Sequence, residues 1–223
     1  MQLVEISRSE DVVATLTLNW PAKKNALSIA MRDEVSDALD ALAADESVKV
    51  VVITGAGGVF SAGFDLREFG SPDPAVQQAL WSSSDRFHHA VLRFPLPTIA
   101  AVDGPALAGG FDLATLCDIR IASEVAVFAH PEQAFSDVLY RPLAELVGGA
   151  AARYLTLSGR RIDAAEALRI GLVAEVVPAA ELMDTVGRLA RDIARGPREA
   201  LIRTKAKAVR RMGIDVGMAT PAM

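Results

Sequence analysis

The stretch from residue 98 to residue 120, TIAAVDGPALAGGFDLATLCDIR, constrains the fold more than any other part of the chain. Its first five residues form an apolar run that predicts a buried strand, and the Asp-Gly-Pro that follows is typical of a turn. Gly109 and Gly110 then lead into an apolar segment with helical spacing. Glycine lets a ligand approach the backbone closely, and the first N–H groups of a helix have no acceptor inside it. The stretch therefore predicts a strand that runs into a helix through an anion-binding turn.

A second glycine turn follows another predicted strand. Residues 48–54 (VKVVVIT) form an apolar run, and GAGGVFSAGFDL comes directly after it. A dinucleotide fingerprint is excluded because its sixth position, Phe60, is not glycine. A nucleophile elbow at Ser61 is excluded because Val59 stands where that motif needs glycine. The remaining interpretation is a second turn whose backbone approaches a substrate.

Together these segments resemble the crotonase (enoyl-CoA hydratase/isomerase) family. GAGGVFSAGFDLREF and DGPALAGGFDLATLCDIRIAS are similar to its two signatures, in the same order and at a typical separation. The resemblance runs from about Leu3 to Lys207 and includes PAKKNALS, the HPE at 130–132, and LSGRRIDAAEALRIGLVAEVV. It implies the α/β crotonase (ClpP-like) fold, in which repeated ββα units form a superhelix of short sheets. Residues 1–190 would form the core, and residues 191–223 a shortened C-terminal helical region.

The same resemblance implies a site for acyl-CoA thioesters. Asp112 and Glu132 occupy the positions of the catalytic carboxylates, and the N–H groups of Phe64 and Gly109 those of the oxyanion donors. No cofactor is expected, because coenzyme A is part of the substrate, and no metal site is expected. A homo-oligomer, as a trimer or a dimer of trimers, is also implied. The residues expected to border the substrate and its CoA are Lys24, Ala26, Leu27, Ala62, Gly63, Asp65, Leu66, Leu107 and Gly110.

Three functions remain open at this point. An enoyl-CoA hydratase is favoured, although Asp112 is shorter than the glutamate usual there. An aspartate followed twenty residues later by glutamate also resembles the dienoyl-CoA isomerases. These carry a third acid at a position that is Tyr140 here, with Asp137 off register. A non-catalytic acyl-CoA-binding protein is the third candidate, because the segment after Glu132 departs from the family pattern and the C-terminal region is short.

Composition and local patterns narrow the remaining choices. The chain has 223 residues, of which 51% are hydrophobic, and can bury a substantial core. A net charge of −5 argues against a nucleic-acid surface, and without an apolar run of about 18 residues we expect a cytoplasmic protein with no membrane contact.

Local patterns predict the roles of several single residues. Ser28 and Asp163 are predicted helix N-caps, and Cys117 is a predicted buried thiol. Cations that could cap the last helix or meet CoA phosphates are Lys205, Lys207, Arg210 and Arg211.

Overall fold

The computed structural model describes residues 2–9 and 12–212. The strands of this part are β1 (Val4–Ser9), β2 (Val13–Leu18), β3 (Val50–Gly55), β4 (Thr98–Val102), β5 (Pro105–Leu107), β6 (Ile119–Ser123), β7 (Val127–Ala129), β8 (Ile162–Asp163) and β9 (Glu175–Val177). The α-helices are α1 (Ile29–Ala44), α2 (Leu66–Phe69), α3 (Pro74–Arg93), α4 (Gly109–Leu116), α5 (Arg141–Ser158), α6 (Ala164–Arg169), α7 (Leu182–Ala194) and α8 (Arg198–Met212). None of these helices has both the length and the apolar character that crossing a bilayer requires.

The strands form two sheets that receive successive segments of the chain in turn. The larger sheet has the order β1-β2-β3-β4-β6-β9, and the smaller sheet has the order β5-β7-β8. β1 and β2 are antiparallel, and the other neighbours in the larger sheet are parallel. β4 and β5 precede α4, and β6 and β7 precede α5, so each unit gives one strand to each sheet. The predicted repetition of ββα units is therefore confirmed.

Both faces of β3 and β4 in the larger sheet are buried, which explains why these two strands are continuous apolar runs. Val51 and Ile53 of β3 belong to one core cluster, which also contains the buried faces of α1, α3 and α4. Val50 and Val52 belong to a second cluster, formed with the apolar face of α7. Alternate side chains of a strand point to opposite faces, so β3 supplies both clusters.

The structure corrects the predicted passage from strand to helix. The turn after β4 is present, with Gly104 at a φ of +69°, but it is followed by the three-residue strand β5. β5 pairs with β7 in the smaller sheet. The prediction that β4 leads directly into α4 is therefore wrong. β4 and β5 belong to different sheets, and the turn with Gly109 follows β5.

α8 is attached to the core through a lysine. Lys205 Nζ lies 2.7 Å from Asp118 Oδ2 and donates to Leu96 O at 2.9 Å. Because Lys205 is buried in this ion pair, its predicted contact with CoA phosphates is wrong. Lys207 and Arg210 are exposed, and the side chain of Arg211 lies outside the described residues. The division at residues 190 and 191 stays a prediction, and residues 213–223 also lie outside the described part.

Candidate active site

The two glycine turns lie side by side at one edge of the larger sheet. β3 and β4 are parallel neighbours, so their carboxyl ends meet at this edge. Beyond β3 the chain continues beside β5. Ser61 N–H donates to Pro105 O at 3.1 Å, and Leu107 N–H donates to Ser61 O at 2.9 Å. These hydrogen bonds bring the turn at Gly63 against the start of α4.

The contact between the turns requires glycine. Gly63 has a φ of +87°, and a Cβ on it would lie 2.7 Å from Ala108 Cβ and 3.1 Å from Gly109 N. A Cβ on Gly109 would lie 2.7 Å from Cδ1 of the Phe64 ring. Ala108 itself has a φ of 51°, a conformation that residues with a Cβ rarely adopt. The backbones of the two turns are therefore in direct contact.

The two predicted oxyanion donors belong to these turns. Gly109 is the first residue of α4, and Phe64 directly follows Gly63. Among the hydrogen bonds formed within the described part of the chain, neither of their N–H groups is a donor. Unpaired backbone N–H groups on rigid turns are the donors that stabilise an oxyanion. The role of Phe64 and Gly109 in binding an oxygen stays a prediction.

Asp112 and Glu132 are brought together by α4 and by the 3₁₀ turn Pro131–Ala134, which follows β7. His130 lies between them. Its Nδ1 is 2.8 Å from Glu132 Oε1, and its Nε2 is 3.9 Å from Asp112 Oδ1. The imidazole stacks on the ring of Phe111 with 4.6 Å between centroids. A single buried imidazole therefore connects the two predicted acids.

The electrostatics of this cluster favour proton transfer near neutral pH. Burial raises the pKa of Asp112 to about 7, an effect that His130 opposes and Glu132 reinforces. Burial acts to lower the pKa of His130, but the hydrogen bond to Glu132 and the charges of both acids raise it further than burial lowers it. His130 Nε2 and Glu132 Oε2 are buried and have no hydrogen-bond partner among the described residues. Both atoms therefore keep an unused capacity for a hydrogen bond.

The cluster also has the spacing needed to hold a cation. Asp112, His130 and Glu132 each offer a ligand atom within 4.8 Å of those of the other two. Imidazole and carboxylate ligands together suit several divalent transition metals. In the structure, however, His130 and Glu132 are hydrogen-bonded to each other. The expectation that the site works without a metal stays a prediction.

His130 is a candidate functional residue that the sequence prediction did not assign. The tripeptide HPE contributed to the family resemblance only as a pattern around Glu132. The available signal was the spacing of two residues, with Pro131 between them to restrict the backbone. This spacing allows both side chains to reach one point, but only the fold shows that Asp112 lies there too.

The segment with Lys24, Ala26 and Leu27, which is predicted to border CoA, runs beside the turn at Gly63. Ala62 N–H donates to Lys24 O at 2.9 Å, and Leu27 N–H donates to Gly63 O at 2.8 Å. Lys24 is exposed, whereas Ala26 and Leu27 are buried. Of these predicted contacts, Lys24 therefore offers a charged side chain to a ligand, and its neighbours offer mainly backbone groups.

The other predicted contacts surround the same turns. Leu66 is 69% exposed at the start of α2, and the Asp65 carboxylate caps that helix. Leu107 is half-buried at the end of β5. Gly110 is buried, and a Cβ there would lie 2.5 Å from Ser61 O, so this glycine allows close packing of α4. All four lie at the site, and their contact with CoA stays a prediction.

A family model described as enoyl-CoA hydratase/isomerase matches residues 8–219. The chain belongs to the enoyl-CoA hydratase/isomerase family. The crystal structure of an enoyl-CoA hydratase from Bacillus anthracis is 31% identical, with a TM-score of 0.90 over 98% of this chain and 86% of that one. The predicted crotonase fold is thereby confirmed.

Other members of the enoyl-CoA hydratase/isomerase family show the range of named activities. A Thermus thermophilus protein provisionally named an enoyl-CoA hydratase is 36% identical over 95% of this chain and 87% of its own length. The 4-chlorobenzoyl coenzyme A dehalogenase-2 of Arthrobacter is 34% identical over 84% of this chain and 71% of its own length. Membership of the family therefore leaves the reaction to be argued from the site.

Proposed function

We propose that the chain is an enoyl-CoA hydratase, which adds water reversibly to the double bond of a 2-enoyl-CoA thioester. The observation that carries this proposal is the buried Asp112–His130–Glu132 cluster, at the helix that begins with the unpaired N–H of Gly109. Water addition needs a base, an acid and donors for the charge that develops on the thioester oxygen. The hydratase names of the relatives support the same reaction.

Each group has one task in this reaction. Glu132, fixed by the N–H of His130, takes a proton from the water whose oxygen bonds to C3. The electron pair of the double bond moves toward the thioester oxygen, where the N–H groups of Phe64 and Gly109 stabilise the enolate. Asp112, which has a pKa of about 7 and is partly protonated at neutral pH, gives its proton to C2. The proton on Glu132 is then released to water and Asp112 takes one up from water, so one water is added and both acids return to their starting protonation states.

The two alternatives are less well supported by the site. An isomerase of the dienoyl type would use a further acid, but Asp137 is exposed and the hydroxyl of Tyr140 donates to Gly149 O. No third carboxylate joins the cluster within the described residues. A binding protein without turnover would not need a buried acid with a pKa near neutrality.

The test is the variant Glu132→Gln, with Glu124→Gln on an exposed turn as its matched control. Water addition to crotonyl-CoA is followed by mass, and acyl-CoA affinity by calorimetry. We expect Glu132→Gln to lower turnover at least about 10²-fold and to change affinity only a few-fold, because it removes the base but little binding surface. Turnover near that of the wild type would contradict the proposal.

A second comparison separates the alternatives. Asp112→Glu should keep or improve hydration in a hydratase, because it restores the residue usual in the family. In an isomerase whose site is arranged for aspartate, the longer glutamate side chain should lower the rate of double-bond migration. Binding of acyl-CoA by the wild type without change to a panel of enoyl and dienoyl thioesters would support the non-catalytic alternative.

Assembly is a separate part of the proposal. We infer a homo-oligomer, either a trimer or a dimer of trimers. On α5, Leu157 and Tyr154 are 75% and 55% exposed and lie three residues apart on one helix face, and neighbouring exposed apolar side chains of this kind mark interaction surfaces. Light scattering measures the assembly directly, and a monomer at micromolar concentration would contradict it. A cytoplasmic location stays a prediction.

A further inference from the structure

Arg32 is a charged residue buried beneath the candidate site. It lies in the first turn of α1 and is fully buried. Its guanidinium donates to Leu27 O at 2.6 Å, to Leu80 O at 3.1 Å and to Ser83 Oγ at 3.2 Å. No carboxylate of the described residues forms an ion pair with it. Burial lowers the pKa of Arg32 to about 10, against the effect of Glu68 and Asp33, so the side chain stays charged at neutral pH.

A buried cation whose partners are all neutral oxygens is costly, and hydrogen bonds offset the cost only in part. An apolar residue of similar length would fill the same space without that cost. The energetics therefore suggest that Arg32 has a task besides packing, and its contacts indicate where that task lies.

One contact acts on the Phe64 ring. The guanidinium carbon lies 4.2 Å from the centroid of this ring, within the range of a cation–π interaction. The ring in turn lies against the backbone of Gly109, where an added Cβ would be 2.7 Å from Cδ1 and 2.8 Å from Cε1. The Phe64 ring therefore contacts both the Arg32 guanidinium and the backbone of Gly109.

The other contact acts on the peptide that carries the Phe64 N–H. Arg32 Nη1 holds Leu27 O, and Leu27 N–H donates to Gly63 O at 2.8 Å. Gly63 C=O and Phe64 N–H belong to one planar trans peptide and point in opposite directions. Fixing the carbonyl of Gly63 therefore fixes the direction of the Phe64 N–H.

We infer that Arg32 is a positioning residue for the thioester oxygen: it aims the Phe64 N–H through Leu27 and holds the Phe64 ring against Gly109. This inference rests on the proposed function of the two N–H groups. The charge of Arg32 is also separated from the turns by a ring rather than by water, so its attraction for a developing oxyanion is weakly screened. Both effects favour the enolate over the bound thioester, and loss of Arg32 should lower kcat more than it raises KM.

The test uses two substitutions and a matched control. Arg32→Met keeps a long apolar stem and removes the charge, and Arg32→Lys keeps the charge but loses the planar fork that reaches three oxygens. The control is Arg86→Met on α3, because Arg86 is exposed and pairs with Asp37 and Asp40 at the surface. Hydration kinetics and the infrared carbonyl stretch of a bound acyl-CoA labelled with ¹³C at the thioester carbon are measured for each.

We expect Arg32→Met to lower kcat by about 10- to 100-fold, with KM within about threefold of the wild type. The carbonyl stretch should move toward its value for free acyl-CoA. Arg32→Lys should be intermediate, and Arg86→Met should match the wild type. A folded Arg32→Met protein with wild-type kcat and carbonyl stretch would overturn the inference.

If Arg32→Met does not fold, Phe64→Leu gives the second test, because it removes the ring and leaves the N–H in place. The same carbonyl shift in a smaller amount is expected, and an unchanged stretch would overturn the inference. The carbonyl stretch also separates this inference from the proposed function. It reports polarisation of any bound thioester, so it can respond to Arg32 even if the wild type does not add water.

Discussion

Asp112→Asn is expected to stabilise the folded protein at alkaline pH while it abolishes hydration. The two side chains have nearly the same volume, so the substitution removes the charge and changes packing little. In the native structure burial raises the pKa of Asp112 from 3.8 to about 7. The folded protein therefore resists an ionisation that the unfolded chain undergoes freely.

The size of the effect follows from the pKa values. Each unit of pKa corresponds to about 1.4 kcal/mol, so the difference between 3.8 and about 7 costs the ionised native state about 4 kcal/mol. Because the folded pKa is the higher one, the protonated Asp112 side chain contributes to the free energy of unfolding of the wild type. This contribution is complete below about pH 3.8 and is lost as the pH rises through about 7. The amide does not titrate. The stability of Asp112→Asn relative to the wild type should therefore increase by up to about 4 kcal/mol between about pH 4 and about pH 8.

Urea unfolding followed by circular dichroism at a series of pH values measures this difference, and crotonyl-CoA hydration is assayed on the same samples. Asp137→Asn is the control, because Asp137 is exposed and should change the stability little at any pH. A difference between Asp112→Asn and the wild type that does not depend on pH would refute the reasoning, since it would mean that Asp112 ionises in the fold without a penalty.

Four other outcomes are expected. His130→Asn should lower turnover by about 10- to 100-fold by freeing the Glu132 carboxylate, and should shift the acidic limb of the pH profile; an unchanged profile would contradict this. Exhaustive chelation should leave activity intact, and loss that a divalent ion restores would make the cluster a metal site. Gly63→Ala should reduce turnover by about 10²-fold, because a Cβ there would lie 2.8 Å from a backbone oxygen; wild-type kinetics would show that the turn can adapt. Lys205→Met should lower the free energy of unfolding by about 2 kcal/mol in urea titrations, because Asp118 loses its cationic partner although it keeps the hydrogen bonds from Thr98, and a change below about 1 kcal/mol would contradict this.

Local signals in the sequence predicted much of the framework. Ser28 and Asp163 were recognisable as N-caps because a side-chain oxygen is favoured directly before the unpaired N–H groups of the first helical turn, and each accepts a hydrogen bond from such a group. The apolar runs of β3 and β4 predicted strands buried on both faces. Cys117 is buried as predicted, and burial raises the pKa of its thiol to about 12. In each of these cases the cause lies within a few residues of its effect.

Features that depend on distant partners were not predictable in the same way. Pro105–Leu107 is a strand only because β7 lies beside it, and Lys205 is buried only because Asp118 and Leu96 face it. In the sequence, Arg32 follows the apolar Met31 of α1 and cannot be distinguished from an ordinary exposed helix residue. Its burial depends on α3, which supplies two of its three hydrogen-bond acceptors. His130 shows the same limit, because its proximity to Asp112 is made by the contact of two separate segments.

The unpaired N–H groups and the acid cluster also differ in how they can evolve. The N–H groups of Phe64 and Gly109 are main-chain atoms, and of the possible substitutions only proline deletes them as long as the backbone keeps its path. Asp112, His130 and Glu132 act through side chains, and a single codon change can replace any one of them. Under the proposed function, a lineage with this architecture can therefore keep the donors for the thioester oxygen while it exchanges the groups that carry out the reaction. A family in which the backbone donors persist and the side chains change should contain several activities, and the relatives of this chain are named as hydratases and as a dehalogenase.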